Sequence, residues 1–97
     1  MYATVGQVKV DPGREDEARK LLEELVVPRA KGLAGFQGGH WARVLGGDVG
    51  YSLLLFDTEA NARAAADQVA QGPPPGAPPD PPATFLSVDV CEVIAQT

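Results

Sequence analysis

The sequence predicts a single α+β domain spanning residues 1–97. It contains a four-stranded antiparallel sheet, ordered β-α-β-β-α-β along the chain, with both helices on one face. Three observations carry this expectation. Ala18, Leu21, Leu22, Leu25 and Val26 repeat at i, i+3, i+4, i+7 and i+8, a buried helical stripe. Gly46-Gly47-Asp48 is a turn signal that joins two strand-like segments into a hairpin. Leu53-Leu54-Leu55-Phe56 is apolar on both faces, which suits a central strand covered on each side. With right-handed crossovers, this order gives the ferredoxin-like arrangement.

Each element follows from its residues. Tyr2 to Val10 alternates as a strand, and Asp11-Pro12-Gly13 stops it. Asp11 can cap free N–H groups, and Pro12 suits a first helical position, so the first helix is expected from Pro12 to Lys31. Pro28 should kink or end it, and Gly32 suits a left-handed closing position. The second strand, Gly35 to Leu45, contains Gly38-Gly39, a pair that marks a bulge or a close approach. The third strand is Val49 to Phe56. Asp57-Thr58 can cap a second helix from Glu59 to Ala70, whose stripe of Ala62, Ala65, Ala66 and Val69 either packs close to a sheet or leaves space beneath it. Residues 72–83 hold seven of the nine prolines and should form an extended, polyproline-like loop. The last strand is Thr84 to Ala95.

Composition narrows the function classes. The net charge is −5. Five of the eight cations are interleaved with carboxylates in the first helix, where Glu15–Arg19 and Asp16–Lys20 can pair. No phosphate-tracking stripe results, so a nucleic-acid partner is not expected. No apolar run reaches the ~20 residues of a membrane span, and no leader-like segment opens the chain, so a cytoplasmic protein is expected. One cysteine and one histidine allow neither an intramolecular disulfide nor a four-ligand His/Cys zinc site. No flavin, nicotinamide or metal motif is present, so no cofactor is expected. Two helices cover only one sheet face. The other face keeps apolar side chains, and a second copy of the chain is the simplest cover.

Several segments together resemble a known family. They are the opening Tyr2-Ala3-Thr4-Val5, the Val10-Asp11-Pro12-Gly13 helix start and the Gly35-Phe36 strand opening, with Trp41 in the second strand. Phe56-Asp57-Thr58-Glu59-Ala60 then leads into an alanine-rich helix, and Glu92-Val93-Ile94-Ala95 closes the chain. In order and spacing the chain resembles the antibiotic-biosynthesis-monooxygenase-like (ABM-like) proteins of the dimeric α+β barrel superfamily. The resemblance implies a homodimer closed by sheet-to-sheet packing, with a pocket between sheet and helices in each subunit. Members include cofactor-free monooxygenases that oxidise aromatic polyketides, and haem-degrading enzymes that use an Asn, a Trp and a His in concert. This chain departs from the latter pattern: Trp41 and His40 are adjacent, and Asn61 is the only asparagine.

The candidate site residues lie in the central hairpin. Strand alternation places His40 with Phe36, Ala42 and Val44, expected as the helix-side interior, and Trp41 with Gln37, Gly39 and Arg43, expected at a dimer rim. His40 could serve as a general base, although a hydrogen-bonded structural histidine is the plainer reading. Tyr51 could take a phenolic proton, or simply be a strand tyrosine with its hydroxyl at the edge. Trp41, Arg43 and Phe36 are the candidate substrate contacts. A packing or interface role suits Trp41 better than a substrate platform, and a salt bridge to the acid-rich second half suits Arg43 better. Cys91 reads as a buried structural thiol. Two functions of different class fit these residues. One is a cofactor-independent monooxygenase holding an aromatic or polyketide-like molecule under the second helix. The other is a non-catalytic homodimer that binds a small molecule or serves a structural role.

Overall fold

The computed structural model of the protein describes residues 1–72 and 76–97. Strands β1 (Tyr2–Val10), β2 (Phe36–Arg43), β3 (Val49–Phe56) and β4 (Ala83–Glu92) form one antiparallel sheet in the order β2-β3-β1-β4. The connections are the hairpin at residues 44–48 and two helical crossovers, so the ferredoxin-like expectation holds. The doubly apolar β3 is central, as its composition requires. At the hairpin, Val44 N–H donates to Val49 O at 2.9 Å and Gly47 N–H to Val44 O at 3.2 Å.

The first crossover is a continuous helix in three parts: α1 (Glu15–Leu21), a π-helical turn (Leu22–Val26) and α2 (Val27–Lys31). Pro28 neither ends nor breaks it. A proline cannot donate to the carbonyl four residues back, and a wider turn just upstream takes up that misfit while the helix runs on to Lys31. The helix also starts later than expected. Residues 11–14 form a turn, with Arg14 N–H on Asp11 O at 3.0 Å, and the Asp11 carboxylate receives the Arg14 guanidinium at 3.2 Å rather than capping the helix. Arg14 is the hub here. It also pairs with Glu17 and Asp80 and donates to the carbonyls of Asp80 and Pro81, tying the helix start to the segment before β4. The expected Glu15–Arg19 and Asp16–Lys20 pairs are not among the ion pairs of the described residues. Gly32 has φ −88°, and the left-handed closing position falls to Gly35 at φ 73°.

Helix α3 (Glu59–Ala70) is capped as expected: Thr58 Oγ1 accepts from Asn61 N–H at 3.2 Å. Its alanine face lies close on the sheet, with Ala62, Ala65 and Ala66 buried. Phe56, Leu54 and these alanines form the core, and Phe36 meets Phe56 edge-on at 5.9 Å between ring centroids. Of the proline-rich loop, Pro73, Pro74 and Pro75 lie outside the described residues. Pro82, at its far end, is fully buried, and its carbonyl accepts from Asp11 N–H at 2.8 Å. Among the described residues no helix is long and apolar enough to cross a membrane.

One irregularity in the sheet determines where the candidate site residues point. In β2, Phe36 pairs with Phe56 but Gly38 pairs with Leu55, so Gln37 is an extra residue in a bulge. Gly38 carries φ 147°, a conformation that favours glycine. The bulge inverts the alternation beyond it. Phe36, Gly39, Trp41 and Arg43 face the helices, while Gly38, His40 and Ala42 face away.

Candidate functional site

The helix-side face of the sheet is built for space where the first helix crosses it. The row that contains Trp41 continues through Ser52 and Gly6 to Val88, and the next runs from Arg43 through Gly50 to Val8 and Phe85. Small residues therefore form the floor beside Trp41. The glycines of this face cannot readily be larger: a methyl at Gly39 would lie 3.0 Å from Leu54 Cδ2, and one at Gly50 would lie 3.2 Å from Val8 Cγ2. The roof is equally open. The first helix packs on the sheet chiefly through α2 against β2, and no residue of α1 or the π turn is buried. Its stripe residues Leu21, Leu22 and Val26 are half-buried and line the gap.

The result is a cavity of about 770 Å³ between the first helix and the sheet. Its lining is mainly apolar, from Val8, Val10, Leu21, Leu22, Val26, Leu33, Trp41, Leu54, Val69 and Phe85. The size and character are those of a small-molecule site. A smaller hollow of about 210 Å³ adjoins Trp41, bounded by Val27, Phe36 and Gly39. The cavity does not lie beneath the second helix as expected. There Thr4 Oγ1–H donates to Ala62 O at 2.7 Å and holds α3 on the sheet, so α3 supplies only a side wall through Ala65, Gln68 and Val69.

Polar groups gather at the mouth. Arg43, at the end of β2, and Glu15, at the start of α1, both border the cavity. The Glu15 carboxylate is held below its ordinary value, first by its own backbone N–H and that of Gly13, and further by the positive charge of Arg43. Arg43 is thus felt by an acid of the first helix, not by the acid-rich second half, and it makes no ion pair among the described residues. At the other side Arg29 donates to Gln68 Oε1 at 3.3 Å, linking the first helix to α3.

Of the sequence-derived candidates, Trp41, Arg43 and Phe36 share the helix side, and His40 and Tyr51 do not. Trp41 is half-buried against the core instead of standing at an open rim. His40 and Tyr51 are exposed on the opposite face, so in a pleated strand only their backbone borders the cavity. For His40 the Gln37 bulge is the reason, whereas Tyr51 faces outward by plain alternation with the core residues Leu54 and Phe56 of β3. Tyr51 Oη accepts from Gln7 Nε2 at 3.1 Å, and Gln7 Oε1 accepts from Ser87 Oγ at 3.3 Å, a polar line across the outer face. Asn61 Nδ2 is engaged by Asp57 Oδ1 at 2.8 Å on the surface, so Asn61, Trp41 and His40 do not converge. Cys91 is half-buried on the outer face. Sequence reasoning missed Ser52 and Gly6 as floor residues; the signal was their smallness at paired positions of two central strands. No group of three or more metal-ligating side chains occurs among the described residues.

No family model and no curated protein matches the chain at a significant level. Solved structures do match. The haem-degrader MhuD from Mycobacterium tuberculosis, with two haems bound in its active site, superimposes with a TM-score of 0.78 at 19% identity. That match covers 100% of this chain and 99% of MhuD. An arginine-to-serine variant of MhuD, with two manganese protoporphyrin IX groups per active site, gives 0.77 at 20% identity, covering 100% of this chain and 98% of that one. The chain therefore shares the ferredoxin-like α+β fold of MhuD.

Proposed function

We propose that the protein is a cofactor-independent monooxygenase of the ABM type that works as a homodimer in the cytoplasm and takes a flat, electron-rich aromatic or polyketide-like molecule. The observation that carries this reading is the apolar cavity of about 770 Å³, with the Trp41 indole on one wall and a cation, Arg43, at its mouth. An apolar slot strips water from an aromatic anion, and Arg43 offsets the charge that the ligand gains on losing a proton. The likeness to MhuD supports a flat ligand, since MhuD holds haem in its active site. Haem degradation itself does not carry over, because Asn61, Trp41 and His40 are dispersed.

For an anthrone, the balance is complete with dioxygen alone. The bound anion forms a C–O bond at the methylene carbon. One oxygen atom stays as the new carbonyl, and the other leaves as water with the remaining methylene hydrogen and a proton returned from solvent, matching the one released on ionisation. Arg43 favours ionisation of the ligand, Trp41 stacks on its rings, and the proton leaves through the mouth beside Glu15. The expected test result is oxygen uptake matched by quinone formation, falling at least tenfold in Arg43→Gln.

Ligand binding without turnover is favoured by one observation: His40 and Tyr51, the expected proton acceptors, face away from the cavity. Anthrone binding with no oxygen consumed would establish that second reading over the first. The homodimer reading is supported by the outer sheet face, where Leu53 and Tyr51 are 38% and 43% exposed.

A further inference from the structure

The cavity has a side chamber. The hollow of about 210 Å³ lies where α2 crosses the edge strand β2. It shares Val27, Gly39 and Trp41 with the main cavity, so the two spaces meet beside Trp41. Its volume is below the roughly 300–1,000 Å³ of a whole small-molecule site, which suits it to one substituent of a larger ligand. Val27, Phe36 and Trp41 make its walls almost wholly apolar. The floor is bare backbone at Gly38 and Gly39. Gly38 has φ 147°, and a methyl at Gly39 would lie 3.0 Å from Leu54 Cδ2 and 3.3 Å from Phe36 Cζ, so neither position readily carries a side chain. One charged residue borders the hollow: Lys31, exposed in the last turn of α2.

The charges around the two spaces run against those of the chain. The protein carries eight Lys and Arg against thirteen Asp and Glu. The linings reverse that balance, with Arg19, Arg29, Lys31 and Arg43 against Glu15 and Glu23. Arg29 is engaged by Gln68, whereas Arg19, Lys31 and Arg43 make no ion pair among the described residues. An apolar passage that ends at an unpaired cation is complementary to an aliphatic stem with an anionic tip.

We propose that the ligand of this site is an aromatic carboxylic acid. Its rings lie in the main cavity, and a short aliphatic arm passes Trp41 into the hollow and sets its carboxylate on the Lys31 ammonium. This rests on the ligand-binding reading above and adds the substituent that the ligand bears. Arg43, at the mouth, stays free for the charge that develops on the rings, so the two cations serve different groups. A lysine near a helix C-terminus also complements the helix dipole, but that role does not distinguish an acid from an amide.

Titration calorimetry of the full chain with three probes tests this. The probes are a hydroxyanthraquinone, the same rings bearing a carboxypropyl arm, and the primary amide of that acid. The arm is expected to improve binding about tenfold through its buried methylenes. At low salt the acid should bind about threefold more tightly than the amide, the scale of an exposed ion pair. Lys31→Met keeps the apolar stem and deletes the charge. It should bring the acid down to the amide and leave the unsubstituted rings unchanged, while Lys31→Arg should hold the acid near wild type. The amides of Val27, Phe36 and Gly38 should shift with the arm well beyond their response to the rings alone. Three outcomes overturn the proposal while leaving the ring site in place: an acid no better than its amide, a preference that survives Lys31→Met, or an arm that leaves those amides unmoved. A preference lost in Arg43→Gln instead of in Lys31→Met puts the carboxylate at the mouth and overturns it too. If none of the three probes binds, the ligand-binding reading itself falls, and the proposal with it.

Discussion

Thr4 donates its hydroxyl to the backbone carbonyl of Ala62 across 2.7 Å, and both residues are fully buried. This bond joins the central strand β1 to α3 and keeps α3 on the sheet, so the open volume falls under the other helix. Thr4→Val keeps the shape and deletes the donor. We expect a loss of about 1 kcal/mol, read as a melting temperature lower by roughly 4–8 °C. An unchanged melting temperature would mean the contact contributes nothing.

Trp41 is the only tryptophan and lines the cavity, so its fluorescence reports occupancy directly. A planar ligand stacked on the indole should quench it and shift its maximum to the blue as water leaves. Titration with a hydroxyanthraquinone is the check, and the effect should saturate. In Trp41→Phe, calorimetry should show affinity reduced by about threefold to tenfold, since an aromatic stacking contact contributes about 0.5–1.5 kcal/mol.

Ser52 is a floor residue beside Trp41 and Gly6, where a larger side chain would occupy ligand space. Ser52→Leu should lower ligand affinity at least tenfold while thermal stability holds or rises, because added apolar atoms fill empty volume. Equal loss of both would indicate that the sheet has been distorted.

The helix start is sensitive to acid. Glu15 is held ionised below the ordinary 4.5 by backbone N–H groups and by Arg43. Its folded value is depressed, so its contribution is present above about pH 4.5 and is lost as pH falls through the lowered value. Carboxylate NMR should place its midpoint below that of a free glutamate, and Arg43→Gln should move it upward. A midpoint at or above 4.5 would contradict the placement of these groups.

Much of this fold could be read from the chain because its signals are local. Strand alternation, the Gly46-Gly47 turn and the Thr58 cap each act within a few residues, and together with handedness they leave one topology. The side each candidate faces was harder to read. One extra residue at Gln37 reverses every side chain after it, and the Gly38-Gly39 pair announces a bulge without saying which residue it adds. The position of the cavity was harder still. A leucine stripe reads the same whether a helix lies on the sheet or stands off it, and the difference here comes from Gly6, Gly50 and Ser52 on strands distant in sequence. Arg43 was recognisable as a charged group near a site, but its neighbour Glu15 was not, because the two meet only across the mouth.

The central claim is that a flat ligand occupies the space between the first helix and the sheet, on the Trp41 side. Amide chemical-shift mapping with a hydroxyanthraquinone tests it most directly. The account predicts the largest changes at Trp41, Arg43, Ser52, Leu22 and Val26, with His40 and Tyr51 moving little beyond their backbone share. Changes centred on the outer face, or none at saturating ligand, would contradict it.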